Sequence, residues 1–280
     1  MRYKYYYCEL QNSQLTNFLE ANGIRYRLSG GGVVPTFVIF TLWSSSVNTH
    51  TLVKCLSALC KSDPIITAEF SSADLKQSKL LMVRPKKQSI VITNGKDAYQ
   101  HSCETIDSFG IARVGHEWQI DTLVIAKEPS SKTSTALWTA DIGFAEIFAD
   151  YRVRELADAN GLSGIEFQKV LLTNGMYSDK LYQLTSSHLI KRELIAEGYG
   201  EKKHKCPICG KEQYFIDSTY QLHLIDSENV AGSDFYVTER IFGEGIAEPL
   251  YIISQRFYQL LIRNNLAGNI VFSPIVNVSS

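Results

Sequence analysis

The sequence predicts an α+β protein with mixed sheets and packed helices, and three observations predict it. Runs of β-branched and aromatic residues, such as Val33-Val-Pro-Thr-Phe-Val-Ile-Phe-Thr-Leu-Trp43, alternate with segments of helical periodicity. Two segments of the C-terminal part, Tyr151 to Leu171 and Gln255 to Val276, repeat one order of elements: amphipathic helix, asparagine cap, glycine turn, strand. Between them lies a single Cys-x-x-Cys, in His204-Lys-Cys-Pro-Ile-Cys-Gly210, which reads as the turn of a hairpin.

Taken in order, Tyr3, Tyr5 and Tyr7 share one face of a first strand, either an edge strand facing a partner or a strand covered by a helix. Asn12 or Ser13 caps a helix whose apolar face is Leu15, Phe18 and Leu19, and Asn22-Gly23 ends it. Ile24 to Leu28 is a short strand. Ser29-Gly-Gly-Gly32 is a turn without the spacing of a dinucleotide fingerprint or the lysine of a P-loop. The Val33–Trp43 run is too short to cross a membrane and reads as a buried strand. Val47, Leu52, Cys55, Leu56 and Leu59 carry helical spacing. Then follow "PIITAEF" as a strand, "SSADLKQSKLL" as a short helix, and "QSIVITNG" as a strand ending in an Asn-Gly turn. The polar stretch Glu128 to Thr135 marks either a boundary, giving an N-terminal α+β region over 1–127 and a C-terminal domain over 128–280, or an exposed loop inside one domain.

Beyond that boundary the two similar segments align at Arg152 with Arg256. They share Leu156/Leu260, Asn160/Asn264, Leu162/Leu266 and Gly164/Gly268, and after one extra residue Phe167 meets Phe272. The alignment predicts helices ending near Asn160 and Asn264, because asparagine and glycine tolerate the positive φ of a helix C-terminus. "FLEANGIRYRL" near the N-terminus has the same order of elements, a unit common enough to arise by chance.

Composition narrows the function classes. A chain of 280 residues with 45% hydrophobic and 20% charged residues buries a sizeable core, and a net charge of -1 lacks the basic footprint of a nucleic-acid binder. The N-terminus shows no apolar signal core, and six cysteines in so long a chain do not form a disulfide framework, so a cytoplasmic protein is expected.

Two thiolates on a tight turn suit zinc, which needs four ligands. Cys206 and Cys209 supply two, and His204 and His223 complete a conceivable Cys2His2 set, with Cys103 or Cys8 as substitutes. A redox pair needs a helix after the motif, whereas "KEQYFIDSTYQLHLID" reads as a hairpin, which leaves structural zinc or a plain reduced hairpin turn. His101, Cys103 and His116 are the only material for a hydrolase site, and no catalytic motif surrounds them.

The segment "SDFYVTERIFGEGIAEPLYIISQRFYQLLIRNNLAGNIVFSPI" resembles the closing part of the bacterial double-CXXCG motif proteins and related immunity-like proteins found beside polymorphic toxins. The residues that carry the resemblance are Ser254, Arg256, Phe257, Leu266, Gly268, Phe272 and Pro274, together with Cys206-Pro-Ile-Cys209-Gly210. It covers Asp141 to Ile275, and the second CXXCG copy is missing. The resemblance implies a cytosolic, non-enzymatic protein that binds a protein partner, a cognate toxin. The alternative is a zinc-knuckle nucleic-acid-binding or regulatory protein, touching phosphates through Lys202, Lys203, Lys205 and Lys211 and stacking bases on Tyr214 or Phe215.

Overall fold

A computed structural model describes residues 2–8, 13–31, 34–43, 65–86, 88–101, 104–106, 112–114, 117–130, 134–140, 146–190, 194–196, 203–205, 212–214, 222–224, 230, 232–242 and 248–277. The helix expected around Val47 to Leu59 falls outside these. The fold is α+β with mixed sheets. It divides into two compact units, Met1–Gln77 with Asp217–Gln221, and Ser78–Ile216 with Leu222–Ser280.

In the first unit, β1 (Arg2–Cys8), β2 (Tyr26–Gly31), β3 (Val34–Trp43) and β4 (Ile65–Glu69) form a sheet in the order β2-β3-β1-β4. The tyrosine-rich first strand is therefore internal, paired antiparallel to β3 and to β4, and is not an edge open to a partner. Leu15 and Leu19 of the helix Ser13–Ala21 are buried, as are Val38, Ile39 and Phe40 of β3. That helix ends as its residues predict. Asn22 Nδ2 donates to Phe18 O at 2.8 Å, Gly23 takes φ 66, and Ile24 N donates to Leu19 O at 2.8 Å.

The second unit runs from 78 onward, so the division lies well before the boundary expected at 127/128. The reason is strand pairing across the polar stretch: β11 (Val124–Ile125) lies parallel to β14 (Glu166–Leu172), and β6 (Gln88–Ile90) lies parallel to β12 (Leu137–Ala140). With β13 (Ile147–Asp150) and β15 (Tyr177–Thr185) these form the order β11-β14-β15-β13-β12-β6. The chain leaving β6 at one edge then pairs with β11 at the other. Ile92 bridges Ile125, Thr93 N donates to Val124 O at 2.8 Å, and Ala126 N donates to Val91 O at 2.9 Å. The sheet is thereby closed into a six-stranded barrel. Ile90, Ile92, Leu123, Ile125, Trp138, Phe148, Val170 and Leu181 fill its interior.

A second barrel repeats the first. Its strands are β5 (Leu80–Pro85), β16 (Leu189–Ile190), β17 (Leu194–Ala196), β20 (Leu222–Leu224), β21 (Phe235–Phe242), β22 (Glu248–Ser254) and β23 (Ile270–Asn277), ordered β17-β20-β23-β5-β22-β21 with β16 on β21. Each strand has its counterpart. The hairpin β12–β13 matches β21–β22, the helix Tyr151–Asn160 matches Gln255–Arg263, and β14 matches β23. Likewise β11 on β14 matches β20 on β23, and β6 on β12 matches β16 on β21, all four pairs parallel.

Register makes the correspondence residue by residue. Leu181 lies opposite Asp150, and Leu80 lies opposite Ser254, the two helix N-caps. Phe167 lies opposite Leu184, and Phe272 lies opposite Val83. The second core, Leu80, Ile190, Tyr236, Ile252 and Ile275, then falls on Leu181, Ile90, Trp138, Phe148 and Val170 of the first. One exchange separates this from a plain tandem repeat. β5, which opens the first repeat, completes the second barrel between β22 and β23, and β15, which opens the second, completes the first between β13 and β14.

Candidate functional site at the repeat junction and the CxxC hairpin

The residues aligned between the two C-terminal segments build the junction between the repeats. Both helices end alike: Asn160 Nδ2 donates to Leu156 O at 2.8 Å and Asn264 Nδ2 to Leu260 O at 2.9 Å. Leu162 N then reaches Ala157 O at 3.0 Å, and Leu266 N reaches Leu261 O at 2.9 Å. The left-handed residue between is Gly161 (φ 58) in one repeat and Asn265 (φ 55) in the other. These bonds satisfy carbonyls that a helix end otherwise leaves without partners.

The turn glycines then press on the opposite repeat. A Cβ on Gly164 would lie 2.6 Å from Phe235 O and 2.8 Å from Ser233 Oγ, and one on Gly268 would lie 2.7 Å from Ser134 Cβ. Gly268 N donates to Ser134 O at 2.8 Å, and Asp234 N donates to Ser163 O at 3.0 Å. Each repeat thus inserts its post-helix turn beside the strand start of the other.

The two arginines are anchored differently. Arg152 holds Asp150 within its own repeat, through Nε at 2.9 Å and Nη2 at 2.5 Å, and also donates to Thr135 O at 2.7 Å. Arg256 reaches across, donating to Asn160 O, and its Nη1 lies 3.3 Å from Asp234 Oδ2. Asp234 is buried and further accepts from Ser254 Oγ at 2.6 Å and Ser163 N at 3.1 Å, so its charge is met by a cation and two other donors.

Sequence reasoning missed a polar cluster beside this network. Ser233 Oγ contacts His188 Nδ1, Ser233 N donates to Tyr236 OH at 2.9 Å, and Tyr236 OH donates to Val230 O at 2.9 Å. Burial, with Asp234 adding to it, holds the Tyr236 phenol above its ordinary pKa, while the Ser233 N–H works the other way. The serine-histidine contact ties the connection before β16 to the start of β21. No spacing motif joins residues 188 and 233, so only folding brings them together.

Both barrels carry an excursion at the same place. In the first repeat it lies between Ile92 and Val124 and holds β7 (Tyr99–His101), β8 (Glu104–Ile106), β9 (Ala112–Val114) and β10 (Glu117–Gln119), with His101 opposite Glu117. In the second it lies between β17 and β20 and holds the CxxC segment. There β18 (Lys203–Lys205) and β19 (Glu212–Tyr214) form an antiparallel hairpin closing at Lys205↔Glu212. Among the described residues, the two arms of the hairpin expected between residues 211 and 226 do not pair with each other. β19 pairs instead with β18 and β21, and β20 with β17 and β23.

Of the expected zinc ligands, His204 lies in β18 opposite Gln213, and His223 lies in β20 between Ile195 and Val276. Cys206 and Cys209 lie outside the described residues, as do Cys103 and His116. β18 and β19 flank the Cys-x-x-Cys segment in the chain, and His204 of β18 lies two residues before Cys206 in the sequence. His223, expected from the sequence as a further ligand, stands on β20, which among the described strands is no ladder neighbour of β18. Among the described residues no cluster of three His, Cys, Asp or Glu side chains is placed to hold a metal.

No family model, characterised protein or solved structure matches the chain. Among the described residues no helix is long and apolar enough to cross a membrane.

Proposed function

We propose that this chain is a non-enzymatic, cytosolic protein-binding protein, an immunity protein that neutralises a cognate toxin by occluding it. One observation carries the reading. Six of the residues that carry the double-CXXCG resemblance lie together in the second repeat: Ser254 caps the helix, Arg256 bridges the repeats, Phe257 and Leu266 are buried, Gly268 abuts Ser134, and Phe272 stacks edge-on against Tyr258 at 4.8 Å. Such a motif marks a shared scaffold, and a rigid scaffold with excursions is a common platform for recognition. Zinc in the CxxC hairpin would stiffen the second excursion.

The test is co-expression with each neighbouring gene whose product arrests growth. Protection from growth arrest, with a complex surviving gel filtration, is expected; a chain that neither protects nor binds overturns the proposal. The second reading is nucleic-acid binding. Lys203 and Lys205 lie two residues apart on β18, the end strand of its sheet order. Retention on DNA or RNA that weakens steeply with salt would favour it.

A further inference from the structure

We propose that a second copy of this chain is itself a partner. Residues 80–172 of one copy assemble with 177–277 of the other, and the reverse, in a closed exchanged dimer. The argument rests on the exchange of β5 and β15 and is independent of any toxin.

Apart from the β14–β15 hairpin, what joins the repeats is non-local. β5 is held by β22 and β23, β15 by β13 and β14, Gly164 and Gly268 sit against the opposite repeat, and Arg256 reaches Asn160 O. None of these contacts depends on which copy supplies each repeat. The covalent link between repeats is the short connection from Leu172 to Tyr177, held as a turn by Gly175 N to Leu172 O at 2.9 Å, Leu172 N to Met176 O at 2.8 Å, and Met176 N to Asn174 Oδ1 at 3.0 Å. Opening this turn sacrifices those few bonds and leaves the rest intact. Met176 and Tyr177 are already exposed, so extending the hinge uncovers little apolar surface. Exchange of identical elements between copies is a low-cost route to dimers where a hinge is short and the interface is retained.

The exchange of β5 and β15 is already present within the chain, and only the identity of the exchanging copy is free.

The experiment uses the full chain, refolded at low and at high protein concentration and sized by gel filtration with light scattering. A dimer formed at high concentration that persists on dilution is expected. A deletion of Thr173–Met176, joining Leu172 to Tyr177, removes the turn, since adjacent antiparallel strands need at least about two connecting residues. It should raise the dimer-to-monomer ratio by at least ~10-fold, equivalent to a loss of the closed turn of one decade in the equilibrium constant. Met82→Cys with Ser273→Cys, a cross-strand pair between β5 and β23, reports the arrangement. On oxidation the dimer should become covalent, while the monomer cross-links within one chain. Refolding that yields only monomer at every concentration overturns the proposal even if the deletion variant fails to fold. So does a dimer whose cross-link stays within each chain.

Discussion

Arg256, on the second repeat helix, donates to the carbonyl oxygen of Asn160, the last residue of the first repeat helix. One side chain thereby satisfies a carbonyl at the end of one helix and balances the buried Asp234 beside the start of the other. A cation at a helix C-terminus also suits the dipole of that helix.

Removing it should therefore cost more than a surface arginine does. Arg256→Met is expected to lower stability by about 1–3 kcal/mol, because Asp234 keeps Ser163 and Ser254 as donors but loses its counter-charge. Asp234→Asn in the same background should recover part of the loss. Urea unfolding of the single and double variants measures both, and additive effects would show that the two residues are not coupled.

Glycine substitutions should separate by what the new methyl meets. Gly161→Ala faces open space and suffers only its positive φ, about 1 kcal/mol. Gly268→Ala, driven against Ser134, should cost more, about 2–4 kcal/mol. Ser134→Gly alongside it should restore part of that, since Ser134 Cβ and Oγ leave while its backbone oxygen stays. Thermal melts rank the three.

The repeats predict a stabilising change. Asn265 holds φ 55 where the first repeat has Gly161. Asn265→Gly should be neutral to favourable, by up to about 0.5–1 kcal/mol, and Gly161→Asn slightly unfavourable. A lower melting temperature for Asn265→Gly would contradict the equivalence of the two caps.

Alkaline pH should expose the buried phenols. Burial raises the pKa of Tyr236, with Asp234 adding to it, and burial raises that of Tyr258. Their folded values lie above the unfolded one, so the stability they contribute is fully present below about pH 10 and is lost as pH rises through the folded values. Tyr236→Phe should flatten the fall in stability above that pH, followed by denaturant midpoints and the ultraviolet band of tyrosinate.

Metal content tests the knuckle directly. Zinc near one equivalent in the purified, untagged chain is expected, and Cys206→Ser should abolish it. His223→Ala then asks whether β20 supplies a ligand: unchanged zinc would place the fourth ligand elsewhere. Absence of zinc in the unmodified chain would leave the hairpin to stand on its ladder alone.

Local patterns determined much of this protein. Asn22-Gly23, Asn160-Gly161 and Asn264-Asn265 each ended a helix where the residue types require, and Phe167 and Phe272 proved equivalent by strand register. These are short-range effects, set by backbone sterics and by contacts within one helical turn. What only the tertiary structure decided is long-range. Ile92 closing a barrel on Ile125, β5 completing the second barrel and β15 the first, and His188 meeting Ser233 leave no periodic trace. The polar stretch near residue 128 read equally as a linker or as a loop, and strand pairing across it makes it a loop joining strands of one sheet. Strand alternation tells which face of a strand is apolar; which strand lies alongside is settled by the packing of the whole barrel.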